Sequence, residues 1–133
     1  MKKLAFATLV MTCLSSWAAW DYMGTSNDKD YDVYNDISTI RKNGEIAKMW
    51  TLQDFYTTQI NRAGEKTRSV KLLRAFNCRA ETMANISIAK YSGQMGSGSI
   101  VVSGTLDEHL WTWNPIVPES IGETQWKIAC GKN

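Results

Sequence analysis

The sequence predicts an α+β domain: a single antiparallel β-sheet of about five or six strands, with a C-terminal α-helix tethered to the sheet by a disulfide. Three observations predict it. Apolar residues recur at every second position through most of the chain, with turn residues between the runs. The spacing becomes helical only beyond Pro115 and Pro118. Once a leader is set aside, two cysteines remain, Cys78 closing an alternating run and Cys130 closing a short capped helix.

Met1-Lys2-Lys3 gives a positive start, Leu4 to Leu14 is an apolar run too short to span a bilayer, and Ser16-Trp17-Ala18 offers small residues where a signal peptidase inspects the chain. Residues 1–18 are therefore expected to be a secretory signal and residues 19–133 a single exported domain. Cys13 is a poor lipid acceptor, because Thr12 stands where Gly, Ala or Ser is usual in a lipobox. Export favours a Cys78–Cys130 bridge. Closing a loop of roughly 50 residues contributes about 4 kcal/mol in the loop-entropy picture, a large share of the stability of a small domain.

The elements follow in order. Tyr31 to Asn35 alternates weakly and runs on to Ile37-Ser-Thr-Ile-Arg, and Asn43-Gly44 then signals a hairpin, since this pair tolerates the positive φ values of a type I′ turn. The next strand, from Ile46, aligns Ile46, Trp50 and Leu52 on one face. Asn61 to Lys66 reads as a loop. Ser69 to Ala80 is the longest clear strand by pattern, with Val70, Leu72, Phe76, Cys78 and Ala80 on one side, and Thr82 to Tyr91 continues with Ala84, Ile86 and Ile88 aligned. The three glycines of Gly93 to Gly98 imply a mobile hairpin tip. Ile100 to Leu106 is a further strand, leading to Trp111 and Trp113. The short gaps suit hairpins and an antiparallel sheet. Ser120-Ile-Gly-Glu123 matches a capping box, Ile121, Thr124, Gln125 and Ile128 share one helical side, and Gly131 is placed to end the helix in a left-handed conformation. A helix this short does not persist alone, and docking and the cross-link are expected to hold it.

Lys2 and Lys3 are the only charges in the first eighteen residues, so from 15 cations and 13 anions overall the exported part keeps 13 of each. A neutral domain has no general attraction to nucleic acid or anionic membrane. His109 is the single histidine, so no histidine pair or Ser/His system is available, and a surface loop is its expected place. Asp54, Glu81, Asp107, Glu108 and Glu123 are scattered, and nothing sets a general acid against a general base. Gly93 to Gly98 lacks the Lys-Ser/Thr of a phosphate loop, and Asn85-Ile-Ser is a chance sequon. No metal, no cofactor and no enzyme activity are expected.

The ordered set Tyr31-Asp-Val-Tyr, Ile40-Arg-Lys-Asn-Gly, Met49-Trp-Thr-Leu-Gln-Asp-Phe, Arg68-Ser-Val-Lys, Asn77-Cys, Tyr91-Ser-Gly, Met95-Gly-Ser-Gly and Pro118-Glu-Ser through Ile128-Ala-Cys resembles the surface-adhesin protein E family of Gram-negative bacteria. The resemblance covers almost the whole exported chain. It implies an antiparallel sheet with a disulfide-held C-terminal helix, agreeing with the reading above, and an outer-membrane adhesin that binds host proteins such as vitronectin and laminin through a basic stretch around the first cysteine. Arg68, Lys71 and Arg74 fall on basic positions of that stretch; Arg79 is added on its own charge.

Each candidate has a plainer alternative. Alternation puts Lys71 and Arg79 toward solvent and Arg74 on the Cys78 face, and cations on one strand also serve as edge protection and a solvated face. Trp111 and Trp113 could form a recognition platform, but core packing or cover by the docked helix is the preferred expectation. The expected function is protein binding at the envelope, adhesin-like; the alternative is a soluble periplasmic partner such as an inhibitor or immunity protein. A homodimer through an edge strand is left open.

Overall fold

The computed structural model describes residues 19–132, so the leader expected at 1–18 lies outside the described residues. The chain folds as an antiparallel meander: β1 (Asp21–Thr25), β2 (Tyr31–Asn43), β3 (Ile46–Ile60), β4 (Lys66–Asn77), β5 (Thr82–Tyr91) and β6 (Ile100–Thr105) lie side by side in chain order. The two-residue β7 (Asn114–Pro115) pairs with the start of β5, next to the edge that β6 uses further along. One helix, α1 (Ile121–Cys130), follows. Sheet, helix and bridge are as the sequence predicts, and β1 is an addition: its Asp21-Tyr-Met-Gly-Thr is too short and irregular to announce itself, and it holds a register shift between Tyr22 and Gly24.

Local chemistry sets the strand ends. Asn43 pairs with Ile46, so the β2–β3 turn is Gly44-Glu45, and only Gly44 has positive φ, at 61°. That is the pattern of a type II′ turn, with glycine first, rather than the expected type I′. β4 stops at Asn77, three residues short of the expected end, because the Asn77 side-chain oxygen accepts from the backbone N–H groups of Arg79 and Ala80 and folds the chain over. Cys78 therefore stands in a turn, and β3 and β2, at 15 and 13 residues, are the longer strands.

The two faces of the sheet differ. On the helix face, Ala47 and Met49 of β3 and Phe76 of β4 are fully buried under Trp126, Ala129 and Cys130. The Cys78–Cys130 disulfide joins the end of α1 to the turn after β4, with Cα atoms 5.5 Å apart. Ser120 Oγ accepts from Glu123 N–H, as a capping box requires, but the Glu123 carboxylate turns outward to Lys127 at 3.1 Å instead of reaching back. At the other end Gly131, at φ 66°, closes a Schellman turn: Gly131 N–H bonds Ile128 O, and Lys132 N–H bonds Lys127 O.

The inward side of α1 is Gln125, Trp126, Ala129 and Cys130, not the expected Ile121–Thr124–Gln125–Ile128 side; Thr124 is exposed. The helix turns to satisfy its largest side chain and its tether. The Trp126 indole donates to Asn77 O at 2.9 Å while its ring covers Phe76, and Cys130 must face the sheet to be bridged.

The opposite face carries Ala75, Ala84 and Ile86, with Leu73 and Ile46 beside them and Trp111 and Trp113 laid over them. The two indoles meet edge to face, centroids 6.0 Å apart, so packing is their role, and they cover the face that the helix does not. The glycine loop is likewise built into the fold. Ser69 Oγ donates to Gly93 O and accepts from Gly96 N–H, and Met95 N–H donates to Asp54, so residues 93–96 lie across β3 and β4 instead of projecting as a tip.

Candidate binding surface

The four basic residues singled out from the sequence stand in separate places. Arg79, on the turn after β4, has a side chain that is 82% exposed and an ion pair of 3.2 Å to Glu45, which is worth little in water. Arg68 reaches back over β3, donating to the backbone oxygens of Phe55 and Tyr56, where it secures the bulge between Asp54 and Gln59. Lys71 lies on the face opposite the helix, its ammonium 5.0 Å from the Tyr91 ring centroid and 5.7 Å from that of Trp20. Gly96 lies against Lys71 Cε in the loop above this sandwich, and its φ of +72° is what favours glycine there.

Arg74 is different. It sits on the helix face beside Leu72 and points along the border where α1 ends its cover. Nε donates to Asn85 Oδ1 at 3.0 Å and Nη1 donates to Gln125 Oε1, while Gln125 Nε2 donates to Asn35 Oδ1 at 2.8 Å. A polar seam thus crosses the sheet from β5 through β4 and α1 to β2. Both Gln125 and Asn35 are fully buried, and Asn35 Nδ2 has no hydrogen-bond partner. Burial pushes the Arg74 pKa down, with the nearby Tyr31 phenol acting weakly the other way.

Two hollows open on either side of this seam, and Gln53 and Arg74 belong to both. One, of about 430 Å³, runs along β3, β4 and β5 away from the helix and is lined by Phe55, Val70, Leu72, Ile88, Asn85 and Lys90, with the exposed Ile60 at its rim. The other, of about 570 Å³, lies between the start of β2 and the segment leading into α1 and carries Asp28 and Glu119.

A third cluster was invisible in sequence. Tyr22, Tyr34 and Tyr56 gather around Asp32 across β1, β2 and β3; the Tyr56 hydroxyl donates to Asp32 Oδ1, and Thr25 Oγ1 donates to the same oxygen at 2.8 Å. The hydrogen bond to Asp32 raises the Tyr56 pKa, and burial followed by the Asp32 charge raises that of Tyr34. No repeat or motif signals this cluster; it depends on register, which sets Tyr22 opposite Tyr34 and Asp32 opposite Asp54.

His109 lies in a short exposed turn, Glu108–Leu110, as expected. Among the described residues no group of His, Cys, Asp or Glu is placed to hold a metal ion, and no helix is long and apolar enough to cross a membrane.

A six-strand meander with one C-terminal helix bridged to the turn after its fourth strand is a specific arrangement, and the family profile of surface-adhesin protein E matches residues 20–131. The chain belongs to the surface-adhesin protein E family. No curated protein matches the sequence. Among solved structures, Haemophilus influenzae protein E superposes with a TM-score of 0.59 at 15% identity, over 83% of this chain and 83% of that one. A second crystal form of it gives 0.60 at 15% identity over 83% and 87%, and protein E from non-typeable Haemophilus influenzae gives 0.61 at 13% identity over 89% and 79%. At such identity the likeness establishes the adhesin E fold and leaves its surface chemistry to be read from this chain's own residues.

Proposed function

We propose that this adhesin E-family chain is an exported, envelope-associated protein that works by capturing other proteins, host extracellular-matrix proteins among them, and that it is not an enzyme. The observation that carries the reading is the incomplete cover of the helix face. α1 buries only the end of the sheet near Phe76, and the strands beyond Arg74 present an apolar-lined hollow to solvent with cations at its floor and side. Such a surface suits a macromolecular partner. Arg68, Lys71, Arg74 and Arg79 are the proposed protein contacts, Arg74 from within the hollow, and the others outside it, with Lys71 on the opposite face and Arg79 freely exposed on the turn after β4.

The test is capture of vitronectin and laminin on a coated surface by the purified exported protein, with Arg79→Glu and Lys71→Glu compared with wild type. The double variant is expected to lose about tenfold in affinity. Arg79→Glu alone is expected to hold its melting temperature, since Arg79 makes only an exposed ion pair. Lys71→Glu also gives up the contacts of its ammonium with Tyr91 and Trp20, so melting is measured beside capture for each single variant. Absence of capture by wild type, together with release of the protein by osmotic shock and resistance to protease on intact cells, would replace the adhesin by a soluble periplasmic binding partner.

A further inference from the structure

We infer that Arg74 anchors a carboxylate subsite on the helix face, which receives the C-terminal carboxylate of a partner segment whose last side chains are apolar. The inference rests on the reading of the chain as a protein that binds proteins, and it names the chemistry of one contact.

The guanidinium is recessed and lacks a counter-charge. Among the described residues the ion pairs are Arg79 with Glu45 and Lys127 with Glu123, and no carboxylate lies within pairing distance of Arg74. Arg74 is half-buried, and even partial withdrawal of a cation from water costs free energy that an anion would offset. Its protein partners are two neutral amide oxygens, those of Asn85 and Gln125, which use the Nε hydrogen and one of the Nη1 hydrogens. Of the five N–H donors, three are left, including both on Nη2. The planar fork fits a carboxylate with two parallel bonds, which a point charge such as lysine does not provide.

The seam holds that fork in place. Gln125 is locked by Asn35 below the helix, and the backbone of Arg74 is fixed in the ladder between Met49 and Asn85. A group prepared in this way loses little freedom when a ligand arrives.

The hollow fits what precedes a chain terminus. Leu72 and Ile88 are directly paired on the helix face next to Arg74, with Val70 and Phe55 further along, so apolar side chains have a floor to lie on. The amide side chains of Gln53 and Asn85 line the hollow and bring further hydrogen-bond donors and acceptors to it. About 430 Å³ accommodates a few residues and is in the range of ligand sites. Charge agrees: Lys90 adds a second cation beside Val70, and the one acid in the lining, Glu65, is engaged with Asn61 nine residues from Arg74, roughly 30 Å along an extended strand. The second hollow, with Asp28 and Glu119, does not share this balance.

The experiment titrates the full exported chain with the acetylated pentapeptide glycine-glycine-serine-valine-leucine, once with a free C-terminal carboxylate and once amidated, following backbone amide shifts by NMR. The acid is expected to bind with shifts at Arg74, Leu72, Asn85 and Ile88, and amidation is expected to weaken it at least tenfold. Arg74→Gln is expected to remove that preference and Arg74→Lys to restore part of it; the acid–amide comparison on the unaltered protein stands even if Arg74→Gln does not fold. Equal binding of acid and amide, shifts confined to other surfaces, or no binding of either would overturn the site. Dodecanoate is the competing carboxylate: if it binds at Arg74 and the peptide acid does not, the peptide assignment is overturned. Matrix capture that persists when neither peptide binds would remove this subsite and leave the adhesin reading intact, so the two failures are distinguishable.

Discussion

Replacing both bridge cysteines by alanine tests the tethered helix most directly. Cys78 and Cys130 are 52 residues apart in sequence, so opening the link frees a loop whose closure contributes about 4 kcal/mol at room temperature in the loop-entropy model. A domain of this size loses about 4 °C of melting temperature per kcal/mol, so Cys78→Ala with Cys130→Ala is expected to lower Tm by about 15 °C. Alanine is chosen because Cys130 is nearly buried beside Ala129, where a serine hydroxyl would add an unpaired polar group. The helix should still be docked at room temperature. The Trp126 indole keeps its bond to Asn77 O and its cover of Phe76 and Met49, and burial of such a side chain is worth about 2–3 kcal/mol. Calorimetry gives Tm, and tryptophan fluorescence with near-ultraviolet dichroism reports the docking. A fall of less than about 5 °C would refute the view that the bridge acts through the unfolded chain. Loss of the helix signal in the cold would refute the view that non-covalent packing suffices to seat it.

Two further outcomes concern smaller contacts. Ser120→Ala removes the acceptor of Glu123 N–H and is expected to cost about 1 kcal/mol, seen as a lower Tm and faster hydrogen exchange in the first turn of α1. The tyrosine cluster gives a pH signature: Tyr34 and Tyr56 have folded pKa values above the ordinary 10.0, so the stability they supply is whole below about pH 10 and is lost as pH rises through their folded values. Asp32→Ala removes the acceptor that is the leading cause for Tyr56 and the charge that is a secondary one for Tyr34, so the phenolate absorbance titration should shift to lower pH, most for Tyr56; an unchanged titration would refute the role of Asp32.

The parts of the fold that were legible are those with a local cause. Alternation marked β2 through β6 because side chains of a strand point alternately to its two faces. Asn43-Gly44 marked a hairpin, and Ser120 and Gly131 marked the ends of α1, because caps and turns are made by residues near in sequence. Where another contact competed, local or tertiary, the pattern misled. The run through Ala80 kept its period, yet Asn77 captured two backbone N–H groups and ended β4 early. The helix showed an aliphatic stripe, but Trp126 and Cys130 decided which side faced the sheet.

The candidate site was half legible for the same reason. Arg74 stood out as a cation on the apolar side of a strand, an anomaly visible in sequence. That Gln125 and Asn35 would lock it, and that a hollow would open beyond it, depended on how far α1 reaches across the sheet. The amino-acid order alone determined the kind of the main elements from β2 to β6 and α1, their antiparallel succession and the pair of cysteines that links helix to sheet, since each follows from periodicity, turn chemistry and composition. Only the folded chain decided which face α1 covers, where its cover stops and which charge is left at that border, because these are set by contacts between residues far apart in sequence, such as Asn35 with Gln125 and Asn77 with Trp126.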